Sequence, residues 1–376
     1  MKRKGKLDWL EKKLGEVRSF DGSLLKYVDS SSKEKELAGE APKSMSKVHK
    51  LDSNENFFVD KDFLDGLAEK ALKDVDLRLY DSEAVADVKR ALGRYLEVKP
   101  ESITAASGSE QLIDLLTNLF LERGDSAVVV VPSFFIYEKR VKLRGATLSA
   151  VPLKQDLSLD IEAVLNEVTS KTRLIFLCSP NNPTANQFEW KQIETIAKTC
   201  SSLVVLDEAY AEFGDYSAAL PATSSDNIIV LRTFSKAFAL AGLRFGYAVA
   251  NRGLASFLSE VIPFTVNSFT AKLVSEIMSH TDVIEASANK VREERKRLLE
   301  LLNTVDGLEV FDSKTNFVTF KPRRDANHIY HELFKKGVVI KNLGKLPVIG
   351  HCLRATVGLP EMNDRFVAAL KEIMRE

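Results

Sequence analysis

Three cysteines in 376 residues, Cys178, Cys200 and Cys352, with no Cys-x-x-Cys pair, provide neither a disulfide framework nor a thiolate metal site. They read as buried thiols of a reducing compartment. No apolar run approaches the roughly 20 residues needed to cross a bilayer. The basic Lys2, Arg3, Lys4 and Lys6 lead into Asp8, Glu11 and Lys12, not into the apolar core of a signal peptide. A cytoplasmic location and no membrane partner are therefore expected. Charge of neither sign is in excess: 53 basic against 53 acidic residues removes any global pull toward nucleic acid. There are five histidines. His328 and His331 share a helix face, but no acidic or cysteine pattern completes a metal site around them. A Gly-x-Ser-x-Gly elbow, a P-loop and a GxGxxG fingerprint are all absent, as is any internal repeat.

What is present suits a globular chain able to bury a large core, in two domains or in one large domain with a lobe. Residues 1–50 are rich in Lys, Glu and Ser, and read as a short helix around Leu7–Val17 followed by an arm, either a flexible tail or a segment packed on a partner subunit. Helices are expected over Glu83–Leu96 and Glu110–Arg123. In the second, Leu112, Leu115, Leu116, Leu119 and Phe120 form one stripe, with Ser109 as its cap and Gly124 as its end. The runs Ala127–Val131, Leu174–Cys178, Leu203–Leu206, Ile228–Leu231 and Tyr247–Ala250 are apolar on both faces, as strands buried in a parallel sheet are. Crossover helices such as Trp190–Thr199 separate several of them. A charged helix near Val283–Leu302 carries the run Arg292–Arg297, read as a solvated face. Strands Phe317–Phe320, Val338–Ile340 and Leu353–Val357 and a helix Asp364–Arg375 complete a smaller domain. The expected fold is α/β, with a mainly parallel central sheet covered by helices on both faces and a smaller α+β C-terminal domain. The division runs 1–50 as arm, 51–260 as the large domain, whose beginning contributes to the small one, and 261–376 as linking helices and small domain.

The stretch Arg232–Thr233–Phe234–Ser235–Lys236, with Arg244 eight positions on, joins an imine-forming amine to an anion clamp. Pyridoxal phosphate needs that pairing, although a lone Ser-Lys usually marks only a solvated surface. Asp207 ends one expected strand and Lys236 follows the next, so in a parallel sheet both emerge at the carboxyl edge, where open α/β sheets bind ligands. There an aspartate can pair with a protonated pyridine nitrogen. Alone, Asp207 reads as a helix N-cap; beside Lys236 that reading loses. Asn182, in the turn-like Asn-Asn-Pro-Thr, and Tyr210 can reach a ring oxygen. Ser107–Gly108–Ser109–Glu110 opens a helix whose backbone N–H groups suit a phosphate, though such a start is unspecific by itself. Phe134 can stack on a ring; an aromatic there is core as often.

In this order, Asn54–Glu55–Asn56, Gly108–Ser109–Glu110, Ser179–Pro180–Asn181–Asn182–Pro183–Thr184, Asp207–Glu208–Ala209–Tyr210, Thr233–Phe234–Ser235–Lys236–Ala237–Phe238, Ala241–Gly242–Leu243–Arg244 and Leu353–Arg354 carry a family likeness. From about Leu51 to Gly358 the chain resembles the fold-type-I pyridoxal-phosphate aminotransferases, and most closely the histidinol-phosphate aminotransferases of histidine biosynthesis. The resemblance implies that Lys236 holds the cofactor covalently, Asp207 pairs with its ring nitrogen, Asn182 and Tyr210 contact its ring oxygen, and Phe134 stacks on it. It places the phosphate against Gly108, Ser109 and Glu110 at the helix start, Ser235 and Arg244. Tyr80 would reach that phosphate from the neighbouring subunit of a homodimer. Arg354, with Asn182 and Lys341, would hold the substrate, Arg354 through a bidentate fork that lysine cannot copy. The sequence departs from the family pattern at Phe57, Asp81, Ala185 and Lys341, where proline, proline, glycine and arginine are usual.

The implied reaction moves an amino group from L-histidinol phosphate to 2-oxoglutarate, with ping-pong kinetics. Aromatic amino-acid transamination, or decarboxylation of a phosphorylated amino acid, uses the same lysine and aspartate. A cofactor-binding regulator without catalysis belongs to another class, and residues 1–50 are too short and polar for the DNA-binding module it would need.

Overall fold

The computed structural model describes residues 48–375. The helix expected at Leu7–Val17 and almost all of the expected arm lie outside them. The described chain opens on a two-residue strand, β1 (His49–Lys50). The long apolar runs then form a seven-stranded sheet from β2 (Ile103–Ala106), β3 (Ser126–Val131), β4 (Thr147–Pro152), β5 (Thr172–Cys178), β6 (Leu203–Asp207), β7 (Ile228–Thr233) and β8 (Gly246–Val249), in the order β2-β8-β7-β6-β5-β3-β4.

Both faces of this sheet are covered, which is why its strands are apolar without alternation. Along β3, Val128 and Val130 enter one core while Ala127, Val129 and Val131 enter the other. Helix Trp190–Thr199 closes the first face with Ile193 and Ile196; helix Ser109–Phe120 closes the second with Leu112 and Leu116.

Strand β8 departs from the expected parallel arrangement. It runs antiparallel to both β7 and β2, whereas β3 to β7 are mutually parallel. The cause is the connection after β7. Parallel return needs a crossover, usually helical, but residues 234–245 hold only the 3-10 turn Ala241–Leu243. The chain turns back at the same edge, with the Phe234 N–H donating to the Phe245 carbonyl at 3.0 Å.

Helix Ser109–Phe120 is also shorter than expected. Gly108, not Ser109, precedes its first residue, and Leu121 is already extended. Leu121 is drawn fully into the core, and a turn closed by Asp125 N–H on the Glu122 carbonyl (3.1 Å) places Gly124 outside the helix end. At the next departure the sequence helps itself. Asp81 caps helix Ser82–Leu96, its carboxylate accepting the Ala84 N–H at 2.9 Å, a contact no proline could make.

A second sheet is antiparallel and four-stranded: β9 (Leu308–Val310), β10 (Phe317–Pro322), β12 (Lys341–Leu346) and β13 (Gly350–Thr356), ordered β12-β13-β10-β9. The expected strand Val338–Ile340 stops at Val339; this β11 (Val338–Val339) pairs in parallel with β1 instead. Helix Thr281–Asn303 joins the layers, and its arginine run is not simply solvated: Glu294 and Arg295 are buried. Arg295 donates to the carbonyls of Phe213 (3.1 Å) and Thr315 (2.8 Å), so it ties the two sheets' loops together.

Candidate active site

Because β2, β3, β5, β6 and β7 point one way, the segments following them converge on one sheet edge: Ser107–Ser109, Pro132–Phe134, Ser179–Pro183, Asp207–Tyr210 and Phe234–Lys236. This is the carboxyl edge, where such sheets carry ligands.

Asp207 is 3% exposed, and each of its oxygens has one protein donor. The Tyr137 hydroxyl donates to Oδ2 at 2.7 Å and the Ala209 N–H to Oδ1 at 3.0 Å. Asp207 caps no helix; the following 3-10 turn, Ala211–Phe213, starts from Tyr210. Burial pushes its carboxyl pKa up, and the Tyr137 hydroxyl, the Ala209 amide and the Lys236 charge oppose that.

One residue on, Glu208 turns to the other side and accepts from Arg232 at 3.0 Å, from Ser217 at 2.7 Å and from the Ala218 N–H at 2.6 Å. Arg232 also pairs with Glu212 at 2.6 Å, and the three charged side chains lie out of solvent. The network clamps the ends of β6 and β7, and so fixes the residues that precede Lys236 relative to Asp207. Removing one partner would strand a buried charge at a cost of about 3–5 kcal/mol.

Lys236 Nζ donates to the Ser53 carbonyl at 2.9 Å and stands 5.9 Å from the centre of the Tyr210 ring. Burial first, then the Arg354 charge, lower its pKa to about 7; Glu55 opposes them, while Lys50 and Arg244 assist. A lysine that is ordinarily a cation is thereby neutral for a large part of the time near pH 7.

Arg354 lies on β13 with its guanidinium 5.1 Å from the Phe317 ring centre. Nη1 donates to Asn182 Oδ1 at 2.7 Å and Nη2 to the Asp52 carbonyl at 2.8 Å. Lys341 on β12 is directly opposite Arg354 in the register, so the two side chains share a sheet face. The Tyr210 hydroxyl accepts the Asn54 side-chain N–H at 2.9 Å, and burial raises its pKa, so it keeps its own proton for donation.

At the other end, Gly108 has φ +90, and an added Cβ would sit 3.1 Å from Arg244 Nη2. Gly246 is tighter still: its Cβ would fall 2.3 Å from the Ser109 nitrogen and 2.6 Å from the Gly108 carbonyl carbon. Arg244 Nη1 donates to Ser235 Oγ at 3.2 Å. The loop is braced by the Ser107 N–H donating to Gln111 Oε1 at 2.7 Å. Two glycines thus keep open a cradle walled by the start of helix Ser109–Phe120, a hydroxyl and a guanidinium.

Lys236, Asp207, Tyr210, Asn182 and Arg354 are brought together with Ser235, Arg244, Gly108 and Ser109 along this edge. Phe134 is half-buried there, edge-on to Tyr137 with ring centres 5.7 Å apart. The Glu110 carboxylate instead points to Arg140, at 3.8 Å. Tyr80 stands outside the constellation, 87% exposed, its ring 5.2 Å from that of Phe264.

Sequence reasoning missed Tyr137 and gave Asn54 no role. Asn54 was readable as part of Asn-Glu-Asn, but its tie to Tyr210 spans 156 positions. The short segment Asp52–Asn54 touches Arg354, Lys236 and Tyr210 in turn.

The chain matches the family model described as aminotransferase class I and II over residues 46–370. It is 34% identical over 328 residues to a histidinol-phosphate aminotransferase of Thermoanaerobacter sp. (strain X514), covering 87% of this chain and 93% of that protein. Among solved structures it is similar to the histidinol-phosphate aminotransferase of Sinorhizobium meliloti in complex with pyridoxal-5'-phosphate. That match has a TM-score of 0.80 and 26% identity, and covers 87% of this chain and 91% of the other. It shares its fold, at 21% identity and a TM-score of 0.75, with L-threonine-O-3-phosphate decarboxylase from Porphyromonas gingivalis, over 87% of this chain and 99% of that one.

Proposed function

The chain belongs to the class I and II aminotransferases, and from that premise we propose that it transfers the amino group of L-histidinol phosphate to 2-oxoglutarate. The cofactor is pyridoxal 5'-phosphate, and the edge fits it. Asp207 offers an anion with one protein donor per oxygen. The Asn54 Oδ1, buried and without a hydrogen-bond partner among the described residues, marks an unfilled polar position beside Tyr210. The cradle at Gly108, Ser109, Ser235 and Arg244 has the size control and charge a phosphate needs.

When bound, the cofactor supplies an electron sink for the pair left behind as a substrate proton departs. The residues do the rest. Lys236 would hold the cofactor covalently and, once displaced by the incoming substrate amine, would take the substrate α-proton as a neutral amine, the form that its lowered pKa of about 7 makes accessible. Asp207 holds the ring nitrogen. With the Asn54 amide donating to its oxygen, the Tyr210 hydroxyl would have its own proton to offer the ring oxygen. The Asn182 amide joins it, oriented by the bond from Arg354 to its oxygen. Phe134 covers a ring face. Arg354, with Lys341 on the same sheet face, takes the anionic group of donor and acceptor alike.

A homodimer completes the reading. Leu77 (71% exposed), Leu79 (64%), Tyr80 (87%) and Phe264 (73%) form an apolar surface that water would otherwise cover. A second copy seated there would bring Tyr80 toward its partner's cradle.

The observation that carries the proposal is the meeting of Lys236, Asp207, Asn182, Tyr210 and Arg354 at one sheet edge, where burial and the Arg354 charge lower the Lys236 pKa to about 7. A donor screen tests it, with histidinol phosphate, phenylalanine, tyrosine and threonine phosphate each followed by absorbance. Histidinol phosphate should convert the cofactor to its amine form fastest. Negligible conversion by it, with rapid turnover of another donor, rejects this substrate.

A further inference from the structure

Tyr137 belongs to the site although no motif marks it. It is fully buried on helix Ile136–Arg144, three residues after Phe134, and its hydroxyl reaches Asp207 Oδ2 at 2.7 Å. Its ring lies flat on Phe176 of β5, with centres 5.0 Å apart and planes 11° apart, and meets Phe134 edge-on. The ring is held on two sides, which keeps the hydroxyl at Asp207 with the Cys178 thiol beside it.

Resting on the cofactor reading above, we infer that Tyr137 is the positioning residue that keeps Asp207 ionised and aimed at the cofactor's ring nitrogen. Asp207 has two oxygens and two protein donors. The Ala209 N–H is backbone and local, so among the described residues only Tyr137 donates to the carboxylate from across the sheet edge. Burial drives the aspartate toward its neutral form, and a neutral acid cannot hold a protonated ring nitrogen. The titratable groups facing this carboxylate are Tyr137, the Cys178 thiol, Tyr210 and Lys236. Burial pushes Tyr137, Cys178 and Tyr210 upward, so all three stay protonated, and of these only Tyr137 donates to Asp207. The same ring also buttresses Phe134, so one side chain sets both the floor and the wall of the ring site.

Tyr137→Phe removes one oxygen, keeps the ring stack, and takes from Oδ2 its protein donor. Cofactor affinity is measured on the full chain by dialysis equilibrium from pH 6 to 9, with the melting temperature of cofactor-free protein as a folding control. The expected result is on the order of tenfold weaker binding near pH 7.5, the worth of one hydrogen bond to a charged group. The acid limb of the affinity should move to higher pH. In an Asp207→Asn background the same change should do nearly nothing, because its target is gone. Unchanged affinity and pH profile in Tyr137→Phe, or an equal loss in the Asp207→Asn background, overturns the inference. A wild-type chain that binds no cofactor would sink the broader reading with it, so the two failures are distinguishable.

Discussion

Arg354 does two separable jobs, and two substitutions pull them apart. Its planar fork spans Asn182 Oδ1 and the Asp52 carbonyl, at 2.7 and 2.8 Å, while stacking over Phe317. Its charge also lowers the Lys236 pKa. Arg354→Lys keeps the charge but cannot span two acceptors or stack as a plane. Charge-assisted hydrogen bonds contribute about 1.5–3 kcal/mol each, and an ammonium recovers one of the two. The net loss of about 1.5–3 kcal/mol corresponds to roughly a 10- to 150-fold fall in kcat/KM. The pH profile should keep its shape, because the positive charge near Lys236 remains. Arg354→Gln removes that charge. The folded pKa of Lys236 then rises, less of the released amine is neutral at a given pH, and the acid limb of kcat moves to higher pH. Steady-state kinetics from pH 6 to 9 on both variants is the assay. If Arg354→Lys shifts the acid limb as far as Arg354→Gln, or if neither moves it, the coupling between fork and lysine is wrong.

The remaining expectations are simpler to read. Ala185 sits fully buried at φ +66, a left-handed conformation that costs an L-residue about 1–2 kcal/mol. Ala185→Gly should relieve that and, after glycine's extra unfolded-state entropy of about 0.5–1 kcal/mol, leave stability equal or slightly higher in urea titration; clear destabilisation would contradict the strain. Gly246→Ala places a Cβ 2.3 Å from the Ser109 nitrogen and should weaken cofactor binding more than tenfold, the size of one lost charged hydrogen bond, as read by dialysis; normal affinity would show that the cradle does not need this glycine. Lys236 has a folded pKa near 7, below its unfolded value, so its protonation favours unfolding increasingly as pH falls from about 10 to 7. Lys236→Met should therefore raise the melting temperature of cofactor-free protein more at pH 6 than at pH 9, and an equal gain at both would argue against the lowered pKa.

Much of this molecule was legible in one dimension. Strands buried on both faces announced themselves as unbroken apolar runs, and Asp207 and Lys236 could be assigned to one edge because each follows such a run. What escaped has a common physical cause. The reversal of β8 depends on how residues 234–245 turn, and a segment too poor in helix to cross the sheet resembles any loop. The Arg292–Arg297 run looked solvated because charge suggests water; Arg295 is buried since two carbonyls on other segments meet it. Tyr137 was invisible because its partner lies 70 positions away, and a tyrosine after Phe134–Phe135–Ile136 reads as core. Tyr80 and Glu110 were named for the site from likeness alone. The structure puts Tyr80 on an exposed apolar surface and aims the Glu110 carboxylate at Arg140.

Everything rests on Lys236 being the amine that carries the cofactor. Protein saturated with pyridoxal 5'-phosphate, reduced with borohydride and digested, reports this directly by peptide mass mapping. A pyridoxyl group on Lys236, absent from the Lys236→Ala variant, is the predicted result. A stoichiometric label on another lysine, with Lys236 unmodified, would contradict it.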